Sequence, residues 1–194
     1  SAVESLARYY RTVRLGLQAA LRQRPRDRQL PRTRSTGAVG VIVFGSAWGM
    51  CGRFNEQLAA EVTGWLADRQ INPRRLMALG EYVGGALEAR GLHPGAHHPV
   101  PESVDGITGR VQEILLQIDR WSDASIDRVL LFYNESTSGA GYGPQMQRLL
   151  PLDAEWLDQL KTEACPTHVI PSFRTDWYAL FASLVRQYLF VSLY

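Results

Sequence analysis

Gly45, Gly49 and Gly52 follow a short apolar run and pose the first chemical question, whether this loop cradles a phosphate. Their spacing is G-x-x-x-G-x-x-G. The dinucleotide fingerprint is G-x-G-x-x-G, in which the spacing sets how the backbone approaches a pyrophosphate. No acidic residue ends the second apolar run, where one would hold a ribose. No Gly-Lys-Ser/Thr occurs either, and the single lysine, Lys161, is far along the chain. These glycines therefore read as a tight turn that also brings the backbone close to a neighbour. Cys51 lies in the same loop, just before an expected helix, where the macrodipole would stabilise a thiolate. The surrounding Gly-Met-Cys-Gly is not a G-x-C-x-G elbow, and no histidine is placed nearby as a base. Cys51 reads as a small apolar core residue. The nucleophilic alternative requires His168 to approach from the end of another strand.

His93, His97 and His98 form H-x3-H-H. Two imidazoles four apart suit a metal when they sit on a helix, but Pro94, Gly95 and Pro99 exclude a helix here. A surface loop is expected. Asp153, Glu155, Asp158 and Glu163 read as a solvated acidic face. Cys51 and Cys165 form neither a metal-ligand pattern nor a C-x-x-C, so both thiols are expected free in a reducing compartment. The residues themselves thus nominate no catalytic group, no cofactor-binding residue and no metal ligand.

The elements that would position these groups follow from periodicity. Leu6, Tyr10, Val13, Leu17 and Leu21 recur at steps of three and four, predicting an amphipathic helix from about Val3 to Arg22 whose narrow seam suits pairing with another helix. Residues 22–37, rich in arginine and proline, read as a solvated linker, with contact to an anionic surface as the alternative. Val39 to Phe44 is a continuous β-branched run, expected as a strand buried on both faces. Phe54, Leu58, Val62 and Leu66 mark a helix to about Asp68. A second strand is expected over Arg75 to Leu79, a short helix over Glu81 to Arg90, and a helix from an N-cap at Ser103 to Trp121 that carries Ile107, Val111, Ile114, Leu115 and Ile118. Arg128 to Tyr133 is a third strand. Gln145 to Leu150 is an antiparallel edge strand stopped by Pro151, and Thr167 to Ile170 is a further short candidate. A last helix starts near Asp176, with Phe181, Leu184, Tyr188 and Val191 on one face. Strand–helix alternation with long crossovers predicts an α/β, Rossmann-like, mostly parallel sheet with helices on both faces. The expected layout is an end helix over 1–22, the Rossmann-like domain over 38–175 and a second end helix over 176–194.

Bulk properties exclude several classes. The chain has 194 residues, 45% apolar and 21% charged, which is ordinary for a globular domain. A net charge of +2 does not argue for nucleic acid. No apolar run reaches the roughly 20 residues of a membrane span, and the Arg-rich start lacks a signal peptide's apolar block. The leading serine and the last helix, which stops without a C-cap, lead to the expectation that the natural chain extends further.

The block FGSAWGMCGRFNEQLA, Phe44 to Ala59, resembles the hallmark of F-type ATP synthase gamma subunits: an apolar strand, then Ser-Asp-Arg-Gly-Leu-Cys-Gly, then a Phe/Leu-Asn pair opening a helix. Ser46, Gly49, Cys51, Gly52, Phe54 and Asn55 match, and Met50 replaces leucine. Ala47 and Trp48 depart from the pattern. Leu79-Gly80 resembles the family's Val-Gly-x-Lys-Gly stretch without the lysine. Val129 to Asn134 resembles its strand ending in Tyr-Asn, and Leu149 to Leu152 its Leu-Leu-Pro-Leu segment, with Leu150 and Pro151 at its centre. The family's Tyr-Glu-Pro is not preserved at Ile170-Pro171. These departures resemble the divergent gamma subunits of alternative, sometimes sodium-linked, F-type ATPases.

The resemblance implies a non-catalytic rotor subunit without a cofactor. Its terminal helices would form an antiparallel coiled coil inside the alpha/beta hexamer. Its Rossmann-like domain would contact the epsilon subunit and the membrane c-ring, at the cytoplasmic face of a bacterial inner membrane without inserting into it. Torque carried by the stalk would couple ion flow to ATP synthesis or hydrolysis. The competing readings are a stand-alone nucleotide or small-molecule binder and a cysteine-dependent enzyme.

Overall fold

A computed structural model describes residues 2–26, 37–46, 53–101, 104–136, 141–164, 176–177 and 179–184. Ten elements run in the order α1 (Ala2–Arg22), β1 (Val39–Phe44), α2 (Phe54–Asp68), β2 (Arg75–Leu79), α3 (Glu81–Glu88), β3 (Ala96–His98), α4 (Val104–Asp123), β4 (Arg128–Ser136), β5 (Tyr142–Leu150) and α5 (Ala154–Thr162). Trp177 and residues 179–184 are also helical. The chain divides into two compact units. One contains residues 1–32, 111–115 and 152–194, the other residues 33–110 and 116–151.

The larger unit is built on a five-stranded sheet ordered β3-β2-β1-β4-β5. The pairs β3·β2, β2·β1 and β1·β4 are parallel, and β5 returns antiparallel to β4 as expected. Side chains alternate across a strand, so each residue of β1 is committed to one face. Val39, Val41 and Val43 join Leu76, Ala78, Leu130 and Phe132 in a core closed by Leu58, Val62 and Leu66 of α2 and by Val83 and Leu87 of α3. The Trp65 ring meets the Phe132 edge at 5.7 Å, and the Arg69 guanidinium lies 4.1 Å over Trp65. The opposite face carries Gly40, Ile42, Met77, Val129 and Leu131. There Trp121, at the end of α4, lies so close to Gly40 that a Cβ on that glycine would sit 2.5 Å from the indole. Helices therefore cover both faces.

The segment from Gly91 to Pro101, expected as a loop, contains a strand. Its proline and glycine do exclude a helix, but Met77, Ala78 and Leu79 pair with Ala96, His97 and His98. Gly95 N–H donates to Leu76 O at 2.9 Å and Gly80 N–H to His98 O at 2.8 Å, and this pairing converts the segment into the sheet edge. The third strand runs on to Ser136 and the edge strand starts at Tyr142, because each supplies the other's hydrogen bonds beyond the apolar run. Ser103, residues 27–36 and Thr167 to Ile170 lie outside the described residues.

In the smaller unit α1 buries Val13, Leu17 and Leu21 on the expected stripe, together with Ala20 and Gln18. The stripe joins Leu157 and Leu160 of α5 with Trp177 and Phe181 in one core. Trp177 Nε1–H donates to Ala20 O at 2.7 Å, and Leu184 lies over Gly16. As the second partner climbs from 177 to 184, the first descends from 20 to 16, so the two stretches run antiparallel. Trp177 and Phe181 stack at 5.0 Å between ring centroids.

Gly40→Ala forces its methyl into the rigid indole of Trp121 rather than into a side chain that can swing aside. We expect a loss of about 1–3 kcal/mol, read from the denaturant midpoint at constant m-value.

Candidate functional site

The C-terminal ends of β1 and β2 meet where the hallmark block leaves the sheet. Gly45 follows β1 and donates its N–H to Leu79 O at 2.8 Å. A Cβ at Gly45 would lie 2.5 Å from Val83 Cβ and 2.7 Å from Asn55 Oδ1, so only glycine lets three segments converge there. Gly80, at φ +107°, turns β2 into α3, and a Cβ on it would lie 2.9 Å from Ser46 O. Any other residue would be strained at that φ.

Asn55 occupies the centre of this convergence. It sits in the first turn of α2 and is one of two buried polar residues among those described. Its Oδ1 accepts from Ser46 N–H at 3.0 Å and its Nδ2 donates to Ser46 Oγ at 2.9 Å. One amide thus uses both of its functions on one residue nine positions earlier and ties the end of β1 to the start of α2. The neighbouring Phe54 is fixed twice. Its carbonyl accepts from Asn134 Nδ2 at 3.1 Å, and its ring meets Tyr142 edge-on at 5.5 Å. Asn134 ends the Tyr-Asn segment, and Tyr142 opens β5, so the hallmark is braced by strands distant in sequence.

Of the nominated residues, Ser46, Phe54 and Asn55 come together. Gly49, Met50, Cys51 and Gly52 lie outside the described residues, as do His168 and Cys165. Leu150 ends β5 opposite Val129, next to a register shift between Val129 and Leu130, and Pro151 follows through a cis peptide bond. These two stand apart from the Asn55 clamp. Asn134 and Tyr142 were not nominated. The carboxamide of Asn134 at the end of an apolar strand was the available signal, whereas Tyr142 in a Gly-rich turn offered none.

The histidines do not assemble. His97 and His98 are consecutive on β3 and point to opposite faces. His97 Nε2 lies 3.5 Å from Glu88 Oε1, and His98 Nδ1 lies 3.1 Å from an Arg110 nitrogen. Among the described residues no group of three His, Cys, Asp or Glu could hold a metal ion. The acidic residues after Pro151 are exposed, yet they do more than face solvent. Asp153 caps α5, its Oδ1 accepting from the N–H of Glu155 at 2.9 Å and of Trp156 at 3.4 Å. Glu163 ion-pairs with Arg14. What the described geometry around Asn55 performs is mechanical: it locks a strand end to a helix start.

Asn55→Ala removes the acceptor of the Ser46 N–H and releases the end of β1 from α2. We expect a loss of about 1–3 kcal/mol, with Asn55→Asp losing less because it keeps the acceptor. Chemical denaturation of both variants checks the order.

A family model described as ATP synthase matches residues 1–194, the whole chain. The ATP synthase gamma chain of Nitrosococcus oceani is 27% identical over 131 residues, which are 63% of this chain and 43% of that relative. The chain therefore spans less than half the length of the curated relative it matches. Among solved structures, a chain from the central stalk and c-ring of the Tetrahymena thermophila mitochondrial ATP synthase shares the fold. Its TM-score is 0.60 at 18% identity, and the match covers 99% of this chain and 85% of that one. With the match running its full length and the Ser46–Asn55 block in place, this chain belongs to the ATP synthase gamma-subunit family.

Proposed function

We propose that this chain is part of a central-stalk rotor subunit. It transmits torque between a membrane c-ring and a catalytic alpha/beta hexamer, coupling ion translocation to ATP synthesis or hydrolysis. It carries no catalytic site of its own. The observation that supports this most directly is the antiparallel packing of residues 177–184 against α1, with Trp177 bonded to Ala20 O and Leu184 over Gly16. In this reading the pair is the base of a longer coiled coil that extends into the hexamer. Packed helices suit this task, because a close-packed seam transmits strain instead of absorbing it.

The Rossmann-like sheet is the part that meets the epsilon subunit and the c-ring. The segment between Ser46 and Asn55, with Gly49, Met50, Cys51 and Gly52, is a structural or interface element rather than a ligand cradle. Leu150 and Pro151 belong to the same class. No described helix is long and apolar enough to cross a membrane. In this reading the subunit is held peripherally at the cytoplasmic face of a bacterial inner membrane. A stand-alone nucleotide binder is disfavoured by membership of the gamma-subunit family.

Affinity-tagging the protein in its native cells and isolating it in mild detergent tests the proposal. Alpha, beta, epsilon and c subunits are expected to co-isolate with it, and recovery without alpha and beta overturns it. In that complex Trp177→Ala removes about 3–5 kcal/mol of packing, and fewer ions are expected to be pumped per ATP hydrolysed.

A further inference from the structure

The C-terminal end of α5 is held by α1 in a way that neither the sheet nor the family hallmark requires. A helix leaves its last carbonyls without intrahelical partners and carries a partial negative charge there. In α5 those groups are met from another helix. Arg22 Nε donates to Lys161 O at 2.9 Å, a second Arg22 nitrogen donates to Glu163 O, and Gln18 Nε2 donates to Glu163 O at 2.9 Å. Arg14 pairs with the Glu163 carboxylate. Arg14, Gln18 and Arg22 are spaced four apart, so they lie in one row along α1 and converge on a single helix end.

Two kinds of contact with different fates hold α5. Leu157 and Leu160 share the apolar core with Val13, Leu17 and Leu21. The charged part of the polar hold lies at the rim, where the Arg14 and Glu163 side chains are 36% and 48% exposed, while Gln18 is buried. An ion pair that open to solvent is weak and screened by salt. The pairing of α1 with residues 177–184 uses other atoms, namely Ala20 O, Gly16 and the Trp177 and Phe181 rings. Leu157, Leu160 and the partly buried Trp156 are the apolar anchor of a nine-residue helix, and helices that short are marginal without tertiary support.

We propose that α5 is a releasable latch. Arg14, Gln18 and Arg22 fasten its C-terminal end to α1, and it detaches when that polar hold is weakened while α1 stays paired with residues 177–184. Detachment exposes Leu157 and Leu160. It frees the segment that begins at Asp153, three residues after β5 ends.

Amide hydrogen exchange on the full chain tests this. In the unmodified protein, raising salt from about 0.05 to about 0.5 M is expected to speed exchange of the Leu157 to Thr162 amides two- to fivefold. Amides of α1 near Leu17 and of β1 and β4 should not change. Glu163→Gln should abolish that salt dependence while keeping the backbone bonds. Arg22→Met, which retains the apolar stem, should speed α5 exchange roughly tenfold at low salt. Salt-independent α5 exchange together with unaltered protection in Arg22→Met overturns the latch, because the apolar contacts then hold the helix alone. Acceleration of α1 and the sheet in step with α5 also overturns it, because the opening is then global.

Discussion

Asn55 holds two ends of chain with one amide group, and the centre of the sheet unit is arranged around that contact. The Oδ1 must reach the Ser46 N–H while Val83 presses on the same spot, which leaves no volume for a side chain at position 45. Gly45 answers that demand, and Gly80 answers the same demand from β2, where its left-handed φ brings the chain within 2.9 Å of a would-be clash with Ser46 O. Removing any one of these residues uncouples the others. The buried amide has both functions satisfied, so it specifies this arrangement at little energetic cost. A buried polar group left half-satisfied would disfavour it.

The smaller unit solves a different problem. Within this unit the described apolar stripes of the helices cover one another. The α1 stripe serves two partners, α5 and the stretch from Trp177, and they are fastened differently. The Trp177 contact combines a large ring with a 2.7 Å hydrogen bond to a backbone carbonyl. The α5 contact combines Leu157, Leu160 and the partly buried Trp156 with side chains that complete a helix end. The first suits a permanent pairing and the second a conditional one. This difference follows from the solvent-exposed Arg14–Glu163 pair and Arg22, which salt can reach.

Much of the architecture was legible in the sequence because burial imposes a period. The α1 stripe, the β1 run and the α2 stripe appear in the structure within a residue or two of where their spacing put them. Two elements escaped. In α5 the four acidic residues masked a nine-residue helix, although Asp153 as N-cap and Leu157 and Leu160 three apart were its signals. In β3 three residues bounded by Gly95 and Pro99 carry no apolar pattern, and only the waiting hydrogen bonds of β2 make them a strand. The clamp was half legible: Ser46 and Asn55 stood in the hallmark block, but nothing in that block names Asn134 or Tyr142.

By itself the sequence determined the α/β class, the amphipathic end helices and the gamma-subunit resemblance, because each is carried by residues close together in the chain. Period and motif are local properties. Tertiary structure alone decided the partners: that Asn134 holds the Phe54 carbonyl eighty residues away, that His97 and His98 face opposite ways, and that Arg14, Gln18 and Arg22 complete the end of α5. Such contacts join segments whose separation in sequence carries no signal. They exist only after folding has withdrawn those donors and acceptors from water and made each one need a partner.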